Sequence, residues 1–531
     1  MASQLLVLLL IIFVPFSPSE GHAPSYGDQS VPPQIETQNA VKTSIAQAQT
    51  IRALIPPVYL RPPMDAKQSR AVDDCVELYD LTVGFLTDSL SILTESSLDR
   101  YKAVDIQTYL SAALTNVVTS LDGLKEANVN LRLFSFTDHI SNTSQSVSHC
   151  LALVNKFWIA GGESEQTSVS NRRLLSDASE DDFMSQYGSI DDGFPSWLSR
   201  ADRRLLLHKQ TQSGVKLNGN VVTVAQNGSG NFTTITDAIN AVAKNSANRS
   251  VIYVTAGVYE EYVSVASNKH NIMLIGDGRD VTVITGNRSV VDNSTTYNSA
   301  TLATVGQGFI ARDLTIQNTA GAIKHQAVAL RVGADRSVFY KCSFKGYQDT
   351  LYTFSLRQFY RECNIYGTVD FIFGNSAVVF QNCTLLARAP LKRQKNTFTA
   401  QGRTDPNQNT GISIHKCNVT AAPELVPVIS LFPTYLGRPW KLYSRTVYMK
   451  SYLDGLIQPV GWLEWSGDFA LSTLYYGEYK NKGPGSQTSQ RVTWPGYHVM
   501  KTGDAQNFTV RSFISGDAWL RATSIPYGPS L

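Results

Sequence analysis

Four apolar-rich stretches, FIARDLTIQ (309–317), VFYKCSFKG (338–346), FYRECNIYG (359–367) and VFQNCTLLA (379–387), decide the fold. Laid over one another they put Asp313, Cys342, Cys363 and Cys383 at one shared position, the last three 21 and 20 residues apart. Gln326, Gln348 and Asp370 are spaced by 22 and 22. A period of roughly 20 residues built from short β-rich runs is what a parallel β-helix needs, because each coil buries its apolar face only by stacking on its neighbours. Adjacent coils lie about 4.8 Å apart in the hydrogen-bonding direction, so side chains one repeat apart become neighbours in space. Asp349, in YQDTLY, and Asp370, in GTVDFIFG, are related in this way. Two carboxylates so placed cannot comfortably both ionise; one keeps its proton and the other stays charged. The pair reads as an acid beside a nucleophile or base, against the blander use of aspartates after strands as turn or cap residues.

The whole chain sets the frame. Its 531 residues are long enough for more than one core. Residues 1–207 carry 15 Lys+Arg against 24 Asp+Glu, net −9, whereas residues 208–531 carry 31 against 19, net +12. A basic second part suits an acidic partner or substrate, and charge alone does not choose among nucleic acid, anionic polysaccharide and membrane. The apolar run Leu5–Phe16 is too short to span a bilayer and is followed by small and polar residues as far as Ala23, which reads as a secretory signal over 1–23. Secretion gives meaning to the sequons at Asn142, Asn227, Asn231, Asn248, Asn287, Asn293, Asn418 and Asn507. It also favours disulfides: Cys363 and Cys383, equivalent on successive coils, are the expected bridge, with Cys342 a competitor for either.

Between about 35 and 160 the chain places apolar residues at three- and four-residue steps, as in DDCVELYDLTVGFLTDSLSIL and IQTYLSAALTNVVTSLDGL. Long helices with short polar breaks predict an all-α four-helix bundle with no catalytic constellation. The polar segment 161–207 reads as a linker exposed to proteases at two related dibasic sites, Arg172-Arg173-Leu174-Leu175 and Arg203-Arg204-Leu205-Leu206. From Val221 the period changes to strands and turns. TVAQNGSGNFTTITDAINAV predicts a strand, a Gly-rich turn and a short helix that caps the open end of the solenoid; Tyr259 and Glu261 are given structural roles near that helix. The expected architecture is therefore mainly β, a right-handed parallel β-helix over 208–531 preceded by the helical bundle.

Five segments then converge: Gly257-Val-Tyr259-Glu-Glu261, Gln326-Ala-Val-Ala-Leu330, Gln348-Asp349-Thr350-Leu351, Gly367-Thr-Val-Asp370-Phe-Ile-Phe-Gly374 and Leu436-Gly-Arg438-Pro-Trp440. In this order they resemble the plant pectin methylesterases (pectinesterases) over nearly all of Lys216–Leu531, and residues 35–160 resemble the inhibitor-like pro-region that many of those enzymes carry. The resemblance implies hydrolysis of the methyl esters of galacturonate units in cell-wall pectin, releasing methanol and pectate. It implies that Asp370 is the nucleophile and Asp349 the acid and then the base. Gln326 and Gln348 would form the oxyanion hole, Arg438 would orient Asp370, and Trp440 and Thr296 would contact the sugar chain. No cofactor and no metal follows from it. The implied partners are methyl-esterified homogalacturonan, a proteinaceous inhibitor and a subtilase-type processing protease, for a monomer at the cell wall that binds no nucleic acid.

Elementary chemistry supports these roles. A carboxylate is a poor nucleophile that gains from fixed orientation, which Arg supplies through paired hydrogen bonds. Two amide NH2 groups stabilise a developing oxyanion by roughly 3 kcal/mol each. Their rivals are an internal amide ladder for Gln326 and Gln348, a surface bridge for Arg438 and a core position for Trp440. The chain lacks a Gly-x-Ser-x-Gly elbow, since Gly374-Asn-Ser376-Ala-Val378 lacks the final Gly, and this disfavours a serine esterase. A lyase or glycosidase on a similar solenoid would need a calcium carboxylate cluster or a glycosidic acid pair beyond the two aspartates, and a non-catalytic wall-binding or inhibitor protein would not need the Gln/Gln/Asp/Asp/Arg set. One departure lies in the pro-region: Thr119-Ser120-Leu121-Asp122-Gly123 stands where such domains read Thr-Cys-Leu-Asp-Gly, so Cys75 lacks its expected partner, and Cys150 is the only other cysteine before the linker.

Overall fold

The computed structural model describes residues 31–55, 64–129, 136–160 and 221–531; the signal-like segment 1–23 and the linker 161–207 lie outside the described residues. Four helices come first: α1 (Pro33–Leu54), α2 (Ala66–Leu93), α3 (Arg100–Glu126) and α4 (Phe136–Val154), the last extended by a π turn over Asn155–Ile159. Their starts follow from capping chemistry. Asp65 accepts from the Gln68 N–H (2.8 Å) while Gln68 Oε1 accepts from the Asp65 N–H (3.2 Å), and Asp99 accepts from the Lys102 N–H (2.8 Å). Such caps satisfy amide groups that the first helical turn leaves open, each worth about 1 kcal/mol. The helices close on a core of their own that includes Val41, Ile51, Tyr79, Leu86, Leu110, Val117 and Leu151.

From Val221 the chain winds into three parallel sheets of eleven, seven and eight strands. The central coils each contribute a strand to each sheet, so a repeat in sequence becomes a ladder in space. Phe339, Tyr360 and Phe380 are in register on successive coils, and their rings stack at 4.8 and 4.6 Å between centroids. Stacked aromatic pairs of this kind add about 0.5–1.5 kcal/mol each beyond their buried area. The short helix Ile235–Ala241 covers the first coil, and the Glu261 carboxylate accepts from the Ile235 and Thr236 N–H groups, both at 2.9 Å. Glu261 thus holds the end cap in place.

The bridge expected between Cys363 and Cys383 is not formed: all six cysteines are free and buried. Cys342, Cys363, Cys383 and also Cys417 follow strands of the eleven-stranded sheet on successive coils, where parallel register stacks their thiols in a row, each in hydrogen-bond reach of the next and none bridged. Each of the last three thiols also meets a carbonyl of the preceding coil, at Phe339 (3.4 Å), Tyr360 (3.5 Å) and Phe380 (3.4 Å) respectively. In the bundle, Ser120 hydrogen-bonds to Cys75, whose thiol burial pushes up to about 12. Cys150 lies instead against Ser44 (3.6 Å), so Cys75 and Cys150 are not paired.

Candidate active site

The seven-stranded sheet carries the site on its outer face. Inward residues of its strands, such as Leu330, Leu351 and Ile372, are in register and fill the solenoid core. The loops entering those strands bring Gln326, Gln348 with Asp349, and Asp370 to one wall of a cavity of about 440 Å³. Asp349 and Asp370 both adopt left-handed backbone, φ +62° and +51°, which Asp tolerates better than most residues and which turns the chain sharply into the next strand. Both are buried.

Arg438 grips Asp370 with two parallel hydrogen bonds, Nε to Oδ1 at 2.8 Å and Nη2 to Oδ2 at 2.7 Å. The Thr397 hydroxyl donates to Oδ1 (2.6 Å) and accepts from the Asp370 N–H (2.8 Å). This carboxylate has no freedom to rotate. Asp349 has no such clamp. Burial first, and then the neighbouring Asp370 carboxylate, hold it well above the usual carboxylate range, with Arg438 opposing and Glu126 of α3 adding to the rise. One member of the pair is therefore fixed in an ion pair and the carboxyl of the other is shifted toward its protonated form, the division of labour that a nucleophile and an acid require. Gln326 and Gln348 line the same cavity, and among the described residues their amides bond neither to each other nor to any other group, which argues against an amide ladder. Their NH2 groups are open to a ligand.

Aromatic rings floor the cavity. Tyr352 and Phe373 stack at 4.2 Å, and Trp440 meets them edgewise at 6.5 and 5.9 Å. Trp440 can lie so close because residue 402 is Gly: a Cβ there would stand 2.8 Å from the indole. Trp465, 38% exposed, covers the Arg438 guanidinium at 4.4 Å. Thr296 lines the opposite wall beside Tyr297. Every site residue expected from sequence apart from the cysteines thus borders this cavity. Thr397, Tyr297, Tyr352, Phe373 and Trp465 were not foreseen. Arg331, Tyr352 and Phe373, spaced by 21 and 21 and in register on one face, carry the same period as the solenoid and could have been found by it.

The roof of the cavity is the helical bundle. α2 contributes Ala71, Asp74 and Leu78, and α3 contributes Thr119, Ser120, Asp122, Gly123 and Glu126. Leu78 sits in an apolar cluster with Tyr297, Val328, Tyr352, Phe354 and Phe373. Asp122 accepts from Lys441 (2.6 Å), Asp105 from Arg357 (2.6 Å), and Thr115 Oγ1 from Asn375 (2.8 Å). Asp74 accepts from the Thr295 hydroxyl and from Asn298 Nδ2 (3.3 Å), and burial pushes its carboxyl up to about 7.

Residues 221–517 match the pectinesterase family model and residues 16–153 the plant invertase/pectin methylesterase inhibitor model. Similar curated proteins include a probable pectinesterase/pectinesterase inhibitor of Arabidopsis thaliana, 50% identical with 86% of this chain and 82% of that protein covered. Pectinesterase 1 of Solanum lycopersicum is 51% identical over 87% of this chain and 79% of its own. Among solved structures, a pectin methylesterase from carrot is 56% identical with a TM-score of 0.59, covering 60% of this chain and 100% of that one. One from Aspergillus niger is 31% identical with a TM-score of 0.50, covering 59% and 99%. The carrot chain is matched over its whole length by 60% of this chain, and the solenoid has a core separate from that of the bundle, as a part able to fold alone requires.

Proposed function

The chain belongs to the pectinesterase family, a family of carboxylic ester hydrolases, and on that premise we propose that Asp370 and Asp349 hydrolyse the methyl ester of galacturonate units in pectin as nucleophile and acid/base. An Asp370 oxygen attacks the ester carbonyl carbon, and the carbonyl electron pair moves onto oxygen as an oxyanion facing the NH2 groups of Gln326 and Gln348. When the intermediate collapses, the methoxy C–O bond breaks and Asp349 gives its proton to the leaving oxygen, releasing methanol. An acyl anhydride on Asp370 remains. Asp349, now a carboxylate, takes a proton from water as the resulting hydroxide attacks the acyl carbon. Asp370 departs as a carboxylate into the grip of Arg438, and Asp349 is protonated again. Trp440 and Thr296 border the path of the sugar chain.

The observation that carries this reading is the asymmetry of the pair, one carboxylate clamped by Arg438 and one unclamped, its carboxyl raised by burial. The test is methanol release from highly methylated pectin by residues 208–531, with no fall in viscosity. Absence of methanol, or viscosity loss in its place, would overturn it.

We read the chain further as a secreted wall protein, with Leu5–Phe16 as its signal and Arg203-Arg204-Leu205-Leu206 as the site where a subtilase-type protease frees a monomeric catalytic part. All eight sequon asparagines are exposed, which supports glycosylation in the secretory route. N-terminal sequencing of the secreted protein decides this; a mature chain beginning near Ala23 would sink it.

A further inference from the structure

Arg331 is a buried arginine that the solenoid does not neutralise. It projects from the outer face of the strand Leu330–Val332, in register with Tyr352, which lies three residues after Asp349. Its guanidinium lies flat on the Tyr297 ring at 3.4 Å, and neither Nε nor Nη1 has a hydrogen-bond partner. Other guanidiniums of the solenoid are met by the solenoid's own carbonyls or carboxylates: Arg403, also buried, donates to the Gln408 carbonyl (2.9 Å) and to that of Pro406. Arg357 forks onto Asp335, Arg491 onto Glu478, and Arg438 onto Asp370.

The acids that face Arg331 come from the roof. Glu77 of α2 stands 3.7 Å from Nη2 and accepts from the Tyr297 hydroxyl (3.0 Å), and Asp74, one turn earlier on the same helix, bears on the same cation. A guanidinium fork matches a carboxylate in shape and charge, and a buried cation without a counter-charge is costly. When the bundle leaves, Arg331 loses both acids that face it, and it lies beside Tyr297 and Tyr352, two rings that border the cavity. The polymer offers one chemical class of anion there, the carboxylate of a galacturonate unit that carries no methyl ester.

We propose that Arg331 is a carboxylate-recognition subsite for an unesterified galacturonate unit near the ester being cut, and that Glu77 of the bundle stands in for that carboxylate while the cavity is roofed. A methylated unit at this position leaves the guanidinium unpaired. The enzyme therefore favours an ester whose neighbour at this position is already free.

This inference rests on the reaction proposed above, and its test has an arm that does not. Residues 208–531 are prepared as wild type, Arg331→Gln and Arg331→Lys, with binding followed by calorimetry in an Asp370→Asn background. The probes are unesterified trigalacturonate and its fully methylated form. Arg331→Gln should lose about tenfold or more in affinity for the unesterified trimer, as expected for one charge-assisted contact, and Arg331→Lys should restore most of it. In turnover, the ratio of kcat/KM on partially methylated pectin to that on fully methylated pectin should fall about tenfold, through KM. Equal losses on both substrates would make Arg331 a structural residue and overturn the proposal. So would unchanged trimer binding by Arg331→Gln. Should that variant not fold, the wild-type comparison decides: equal affinity for the two trimers sinks the subsite. A wild-type fragment that releases no methanol, yet prefers the unesterified trimer, would fault the reaction and leave the subsite standing.

Discussion

The solenoid and the bundle bury their residues by different rules, and the contrast explains why one holds the chemistry and the other covers it. In the solenoid, parallel register turns sequence period into contact, so Asp349 and Asp370 become neighbours on adjacent coils. In the bundle, period turns into faces. α3 has one face in its own core, with Ile106, Leu110 and Val117, and a second, more polar face of Gln107, Thr108, Ser111, Thr115 and Asp122 turned to the solenoid. A β-helix builds sites from rows of loops; a helix presents a stripe that can seal one. The division holds across the cavity, with the two aspartates, two glutamines and the clamping Arg438 all on the solenoid.

The largest effect should come from breaking the chemistry on the solenoid side alone. In residues 208–531, Asp370→Asn and Asp349→Asn should each reduce methanol release on the order of 10⁴-fold, as for other groups that act in the covalent step, with thermal unfolding unchanged. More than a tenth of wild-type turnover in either variant would refute that residue's role. Gln348→Ala should cost on the order of 10² to 10³ in kcat, the usual loss for one oxyanion donor; a loss confined to KM would count against the oxyanion hole.

The next predictions act on the covering side. Leu78 belongs to the apolar cluster over Tyr352 and Phe373, not to the core of the bundle. Leu78→Lys in the full chain removes burial worth about 2 kcal/mol and should raise methanol release at least tenfold toward that of the fragment. An unchanged rate would mean that the roof does not limit access.

pH should act on the same contact through Asp74. Its carboxyl is raised to about 7 by burial under the roof, with Thr295, Arg331 and Asn298 opposing and Glu77 adding to the rise. Once exposed it returns to the ordinary value near 3.9, so closing the roof takes up a proton. Covering is therefore strongest below about pH 4, weakens as pH rises toward 7 by at most about tenfold per unit, and is level above that. The full-chain rate divided by the fragment rate should climb through this window, and Asp74→Asn should flatten the climb. The smallest effect is on retention. The net +12 of residues 208–531 should hold the fragment on anionic wall material less firmly as salt rises, since screening shortens from about 10 Å at 0.1 M to about 3 Å at 1 M. Salt-independent retention would point to shape instead.

The repeat of roughly 20 residues determined, by itself, the solenoid and the row Gln326, Gln348, Asp349 and Asp370, because in a parallel stack a neighbour in space is fixed by a short offset along the chain. Arg438 and Trp440 were legible through the motif they share with a family rather than through the period. What only the tertiary structure decided depends on contacts across hundreds of residues. The polar stripe of α3 reads in sequence as a solvated face, and nothing local says that it meets Asn375, Gln408 and Asn409. The cysteine period placed the thiols on neighbouring coils, and that they stay unbridged there is read only from the fold. Arg331 reads as one more surface cation until Tyr297 is folded over it and α2 brings Glu77 to it. Its charge is local, and the absence of a partner on the solenoid is a property of the whole fold.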